Sequence, residues 1–167
     1  MVLKFCPMCG GPLRLSTVRD DPKERLVCQD CAYVFYQDPK VSACTIPMVD
    51  GKVVLVRRAI SPGKGLWVFP GGYMDQEETV EEAARRETLE EVGLEVRLTK
   101  LVGVYSYRTS VVVIVYACAV LGGHLRIDGE SQEVRTFRPD EIPWEELAFP
   151  STRDALRDFL AMSGTGS

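Results

Sequence analysis

Residues 72–94, GYMDQEETVEEAARRETLEEVGL, place Glu87, Glu90 and Glu91 at positions i, i+3 and i+4. Helical spacing stacks those three carboxylates on one face. At about 100° per residue, Val80, Ala83 and Ala84 share that face. The stripe begins as core and continues as glutamate where an aliphatic residue is expected. Crowded, half-buried carboxylates repel one another and lose hydration, which is costly unless a cation compensates. A hard divalent ion with oxygen ligands, Mg²⁺ or Mn²⁺, is the compensator the pattern calls for.

The flanks agree with a built site. Leu66-Trp67-Val68-Phe69 has the look of a short strand, and Pro70-Gly71-Gly72 ends it. Two glycines let backbone pass close to a ligand. A helix is expected over residues 77–92, with acids in its first turn and Gly93 as its stop.

The acidity is local. Residues 75–95 hold nine acids and two bases; of the chain's 24 acids and 20 bases, 15 and 18 lie elsewhere. With divalent ions in place, the remainder suits an anionic substrate such as a diphosphate. The apolar run at residues 111–121 is too short to span a bilayer, and MVLKFCPMCG is not a signal-peptide pattern. A cytoplasmic protein that does not engage a membrane is the expectation.

Cys6, Cys9, Cys28 and Cys31 form CxxC-x18-CxxC, the spacing of a four-thiolate Zn²⁺ site rather than of disulfides. Residues 1–38 are therefore expected to form a zinc ribbon, stabilised by its metal because so few residues supply little core. Cys44 and Cys118 lie in apolar runs and are expected to be small core residues. In the body, residues 39–163, strands are expected at 41–49 and 52–57 around Asp50-Gly51, and at 66–69, 96–107, 111–121 and 133–138. A second helix is expected over 151–161, with Ser151 as a possible N-cap. The mixture is an α+β fold, with mixed sheets packed between helices.

The acidic segment matches the Nudix box, GX5EX7REUXEEXGU with U apolar. Gly72, Glu78, Arg86-Glu87, Glu90-Glu91, Gly93 and Leu94 occupy its positions, and Thr88 stands at a U position where its methyl can pack. The chain resembles the Nudix hydrolases. That resemblance implies an α/β/α sandwich with a mixed β-sheet. It also implies that Glu87, Glu90 and Glu91, with the Gly71 carbonyl, hold Mg²⁺ or Mn²⁺ while water attacks a diphosphate. Arg86 and Glu78 are expected to orient the helix and its carboxylates. A further acid usually comes from a loop outside the box. Glu130 and Glu133 are the candidates, and Glu133 is preferred because it opens EVRTF. The expected catalytic set is Glu87, Glu90, Glu91, Glu133 and Arg86. Arg57 or Arg58, closing the strand before the glycine loop, are expected to grip phosphate beside Gly72.

Chains pairing a ribbon with this box include NADH pyrophosphatases and a group resembling plant chloroplast FAD and ADP-ribose pyrophosphatases. AYVFYQDPK, KGLWVFPGGYMDQEET and DEIPWEELAF fit the second group; only Phe149-Pro150-Ser151 echoes the SQPWPFPxS motif of the first. The expected substrate is a nucleoside diphosphate-X compound, FAD or ADP-ribose first and NADH next, cleaved to AMP and phosphorylated X. One alternative is a non-catalytic nucleotide sensor, which would tolerate loss of Glu90 or Glu91. Another is an RNA-directed hydrolase, which calls for a basic ribbon. Residues 1–40 instead carry six bases and five acids, so no nucleic-acid partner is expected. The resemblance further suggests a homodimer.

Overall fold

The computed structural model describes residues 3–108 and 110–164. The chain divides into two compact units, Met1–Asp38 and Pro39–Ser167.

In the first unit, β1 (Leu13–Thr17), β2 (Glu24–Cys28) and β3 (Val34–Phe35) form an antiparallel sheet in that order. Asp21 shapes the β1–β2 turn by accepting from Lys23 N and from Arg25 Nε, at 2.9 and 2.7 Å. Among the described residues the buried apolar set is Cys6, Leu13 and Cys28, with Leu3 and Leu26 against it. So small a core needs a cross-link to hold.

The second unit stacks two sheets. One runs β8-β4-β10-β9, from β4 (Lys40–Ile46), β8 (Gly71–Tyr73), β9 (Leu94–Ser106) and β10 (Val111–Gly123). The other runs β11-β6-β5, from β5 (Met48–Val49), β6 (Lys52–Arg58) and β11 (Ser131–Phe137), with β7 (Trp67–Val68) also paired to β6. β4 and β10 are parallel and their other pairings antiparallel, so the first sheet is mixed. Ile46, Val53, Leu55, Phe69, Val115 and Leu156 are fully buried in the main core.

The strand expected over residues 41–49 is two strands in two sheets. Pro47 separates them, because proline cannot donate to a ladder. Asp50 and Gly51 have φ of 50° and 73°, the left-handed pair of a tight hairpin joining β5 to β6. The expected glycine loop is partly a strand, since β8 pairs with β4 through Gly71↔Cys44. Only glycine fits there: a Cβ on Gly71 would lie 2.4 Å from Cys44 Sγ and 2.6 Å from Cys44 Cα.

Helix α1 (Val80–Val92) starts three residues later than expected. Thr79 is its N-cap: Glu82 N–H donates to Thr79 Oγ1 at 3.2 Å, and Thr79 N–H donates to the Glu82 carboxylate at 2.8 Å. Gly93, left-handed at φ 71°, closes it. Its buried stripe is Ala83, Ala84, Thr88 and Val92. The core side thus continues through Thr88 and Val92, and Glu87 and Glu91 flank it half-buried while Glu90 is exposed. Helix α2 (Pro150–Gly164) is capped by Phe149, whose carbonyl accepts from Thr152 N and Arg153 N, rather than by Ser151. Among the described residues no helix is long and apolar enough to cross a membrane.

Candidate active site

The first unit gathers Cys6, Cys9, Cys28 and Cys31 so that their four sulfurs all lie within 4.8 Å of one another. Each CxxC turn folds back on its first cysteine: Gly10 N–H donates to Cys6 O at 2.9 Å and Ala32 N–H to Cys28 O at 3.1 Å. Gly10 and Ala32 are both left-handed, at φ 77° and 58°. All six cysteines are free thiols. The N–H groups of Cys31 and Asp30 draw the Cys28 thiol down to about 7, toward thiolate. A tetrahedron with Zn–S bonds of about 2.3 Å has edges of about 3.8 Å. The sulfur pairs Cys6–Cys31, Cys9–Cys28 and Cys9–Cys31 stand at 3.8, 3.5 and 3.3 Å, so the soft donor set and its spacing fit Zn²⁺.

In the second unit, a cavity of about 890 Å³ opens where β8, α1, β6 and the start of α2 converge. Its lining is rich in acids: Glu87, Glu90 and Glu91 from α1, with Asp128 and Glu130 from the β10–β11 loop. Gly71 and Gly72 floor it. A Cβ on Gly72 would sit 2.5 Å from the Glu87 carboxylate, so the second glycine also keeps the space open.

Arg86 organises the acids. It grips Glu78 in a fork, through Nη2 at 2.7 Å and Nε at 3.0 Å. Its Nη1 reaches Glu87 at 2.7 Å and Glu90 at 3.1 Å, and Nη2 donates to the Tyr73 carbonyl at 3.2 Å. The guanidinium ties α1 to the segment that carries the glycines. It also holds the Glu78 carboxyl down at about 2, with help from the Asp75 N–H. Glu91 stands apart from this arginine and accepts from Gly71 N–H at 2.9 Å. Burial outweighs that bond and pushes Glu91 up to about 8, and the charges of Glu87 and Asp128 push the same way. Burial also raises Glu87, against the pull of Arg86. A pocket lined by this many hard carboxylate oxygens fits a divalent ion of the Mg²⁺ or Mn²⁺ kind.

The rest of the lining is of another character. Arg58 lies 5.2 Å above the Phe149 ring, donates to Pro62 O at 2.8 Å, and makes no ion pair among the described residues. Tyr107, whose hydroxyl donates to Asp154, and the near-buried Ser151 and Thr152 complete it.

Two expected residues lie elsewhere. Arg57 donates to Gly65 O at 2.7 Å and sits 5.8 Å over the Trp67 ring, off the cavity wall. Glu133 is paired with Arg135 through Arg135 Nε at 2.9 Å and is likewise off the wall. Asp128 is the acid that sequence reasoning missed; its signal was a short loop, DGE, holding two acids two residues apart. Trp67 is core, edge-to-face with Phe137 at 5.0 Å.

Residues 38–159 match the model of the NUDIX domain, and residues 4–37 match the model named Nudix N-terminal, a zinc ribbon. An ADP-ribose pyrophosphatase of Methanocaldococcus jannaschii is 35% identical over 133 residues, which is 77% of each chain. A NAD-capped RNA hydrolase of Chromobacterium violaceum is 29% identical over 147 residues; the match covers 84% of this chain and about half, 52%, of that one. The crystal structure of a NUDIX hydrolase from Nitrosomonas europaea superposes with a TM-score of 0.92 at 37% identity, over 99% of this chain and 94% of that one. The box on α1, the mixed sheet that carries it and the cysteine-clustered ribbon therefore belong together: this chain is a member of the Nudix hydrolase family with a Nudix-type N-terminal zinc ribbon.

Proposed function

We propose that the protein hydrolyses the diphosphate linkage of a nucleoside diphosphate-X compound in a reaction dependent on Mg²⁺ or Mn²⁺. ADP-ribose and FAD lead as substrates, and an NADH-type dinucleotide follows. The observation that carries this reading is one cavity lined by acids and glycines together with an arginine that has no ion pair among the described residues, an aromatic ring and buried hydroxyls. The similarity to an ADP-ribose pyrophosphatase supports the choice of substrate.

Glu87, Glu90 and Glu91 would hold the divalent ion, with the Gly71 carbonyl beside them. Bound there, such an ion neutralises diphosphate oxygens and the charge that develops at phosphorus. Gly71 and Gly72 let the diphosphate approach the backbone. Arg58 offers its free N–H groups to phosphate oxygens. Arg86 keeps Glu87 and Glu90 in place, and Glu78 keeps Arg86 in place. Asp128 and Glu130 line the same cavity as those glutamates, and Glu133 does not, so they are better placed to accept a proton from the attacking water. Phe149 and Tyr107 offer flat surfaces for the base or the X group. Zn²⁺ on the four cysteines would be structural.

An RNA-directed reading draws on the similarity to NAD-capped RNA hydrolases, but the match covers only about half, 52%, of the Chromobacterium violaceum protein. The near-neutral ribbon favours a small-molecule substrate instead.

Purified protein incubated with Mg²⁺ or Mn²⁺ and, separately, ADP-ribose, FAD, NADH, NAD⁺ and CoA tests the proposal by product chromatography. AMP plus a phosphorylated partner should appear from ADP-ribose or FAD, and a Glu90→Gln/Glu91→Gln variant should lose it. Binding of the metal with no cleavage of any compound would overturn the enzyme reading and leave a nucleotide sensor.

A further inference from the structure

Thr88 lies between Glu87 and Glu90 on α1 and is fully buried. Its hydroxyl donates to the Ala84 carbonyl at 2.6 Å, which uses its one hydrogen. Thr45, fully buried on β4, stands 2.7 Å away oxygen to oxygen. Thr45 must therefore be the donor in that contact. Its backbone N–H meanwhile donates to the carbonyl of Pro70 at 3.0 Å, immediately before Gly71. Thr45 thus holds the glycine segment with its main chain and the acidic helix with its side chain. The Gly71 N–H to Glu91 bond, at 2.9 Å, closes the circuit from the other end.

The apolar part of the α1 contact on β4 does not set this spacing. Ala83 and Ala84 are small, and their packing on Ala43 is non-directional. The other directional ties to the glycine segment, Arg86 to Tyr73 O and Gly71 N–H to Glu91, lie outside that buried contact. An apolar residue, the usual occupant of this box position, would fill the same volume but make no directional bond to β4. A hydroxyl that bonds back to its own helix slightly weakens that helix. A buried hydroxyl pair also costs dehydration. Both costs are borne next to the residues that most need a fixed position.

We propose that Thr45 and Thr88 are positioning residues, a buried hydroxyl clasp that fixes the distance between Gly71 and the carboxylates of Glu87 and Glu91. The clasp rests on the reading of those groups as a divalent-ion site. Neither threonine touches substrate or ion. Each acts through the segments it joins, as outer-shell partners of metal ligands do.

The test uses the full chain with Thr45→Val, Thr88→Val and the double variant, and with Thr45→Ser and Thr88→Ser as hydroxyl-retaining controls. Mn²⁺ affinity is read by titration followed by electron paramagnetic resonance. Amide exchange of Gly71 in the metal-free protein is read by NMR. Each valine variant should weaken Mn²⁺ binding about tenfold and speed Gly71 exchange by a similar factor. The serine variants should retain both properties, and the double variant should be little worse than either single one, as expected for one shared interaction. Valine variants that melt earlier yet bind Mn²⁺ and protect Gly71 like the wild type would show mere packing and overturn the clasp. If one valine variant fails to fold, the other carries the test. Wild-type protein that binds no Mn²⁺ would defeat the divalent-ion reading, and the exchange of Gly71 would still judge the clasp.

Discussion

The two ligand-rich sites of this chain are built on opposite plans. In the ribbon, four soft donors come from two short turns and lie within 4.8 Å of one another. The described core of that unit is small, Cys6, Leu13 and Cys28. In the second unit, the acids and glycines that line the cavity come from a helix, a strand and a loop, and the fold around them has its own large core. Its negative charge is handled by protein groups: Arg86 takes Glu87 and Glu90, Gly71 N–H takes one Glu91 oxygen, and burial drives Glu91 toward its neutral form. The contrast teaches that a metal which makes a fold can be held by sequence-local ligands. A site that must admit substrate needs ligands suspended on separate elements and strapped in place.

The largest expected effect would break the first plan. Cys9→Ser, or stripping of Zn²⁺ with a chelator, should abolish amide protection across β1, β2 and β3, because the binding energy of such a site is its folding energy. Hydrogen exchange read by mass spectrometry checks it; a ribbon that stays protected without metal would mean that its small core suffices. Next comes Gly71→Ala. A Cβ within 2.7 Å of Cys44 and of Ala43 O must push β8 off β4. Stability should fall by about 1–3 kcal/mol and kcat by about 100-fold. Wild-type turnover in this variant would show that the catalytic unit does not depend on that close approach.

Arg86→Lys sharpens the comparison at smaller amplitude. Lysine keeps the charge but cannot reproduce the fork on Glu78 together with the bonds to Glu87, Glu90 and Tyr73 O. We expect kcat to fall about tenfold or more, with a much smaller loss of stability. The same strap predicts a pH dependence. Glu78 has a folded-state value of about 2, below its ordinary value, so its contribution is fully present above the ordinary range near 4.5 and is lost as pH falls toward 2. Denaturant midpoints measured from pH 5 down to pH 2 should decline for the wild type and more shallowly for Glu78→Gln. Parallel declines would place the acid sensitivity elsewhere.

Much of both sites was legible because their patterns are local. CxxC spacing dictates two turns whatever surrounds them, and Glu87, Glu90 and Glu91 share a helix face by arithmetic. The legible part ends where register and loop path decide. Arg57 and Arg58 are neighbours on β6, yet one stacks on Trp67 in the core and the other opens onto the cavity. No composition distinguishes them; the pairing of β6 does. Glu133 lies in a strand as expected, though β11 begins two residues earlier at Ser131. Its partner is Arg135, two residues on, and the loop before the strand delivers Asp128 and Glu130 instead. Glu90 was expected at a half-buried position and is exposed, because the core side of α1 runs on through Thr88 and Val92. Thr88 was read for its methyl, while its hydroxyl makes the contacts that set the helix.

The smallest expected effect concerns an atom with no counterpart in the ribbon. Among the described residues, Thr152 Oγ1 is the one buried side-chain polar atom without a hydrogen-bond partner, and Thr152 borders the cavity at the first turn of α2. Leaving a hydroxyl buried and unpaired costs about 1–3 kcal/mol. Side chains in a helix lean toward its N-terminus, which here is the cavity end. Thr152→Val keeps the shape and removes the orphan. Substrate-free protein should gain up to about 1 kcal/mol, seen as a rise in Tm of about 2–4 °C. If the hydroxyl also serves the bound compound, the same variant should raise KM several-fold while kcat and Mn²⁺ affinity stay put. A higher Tm with unchanged KM would make Thr152 a plain packing defect and limit the non-acidic contacts of the bound compound to Arg58, Phe149, Tyr107 and Ser151. An unchanged Tm would show that the hydroxyl is already satisfied in solution, and the contrast between a strapped, ligand-seeking cavity and a self-contained ribbon would lose that support.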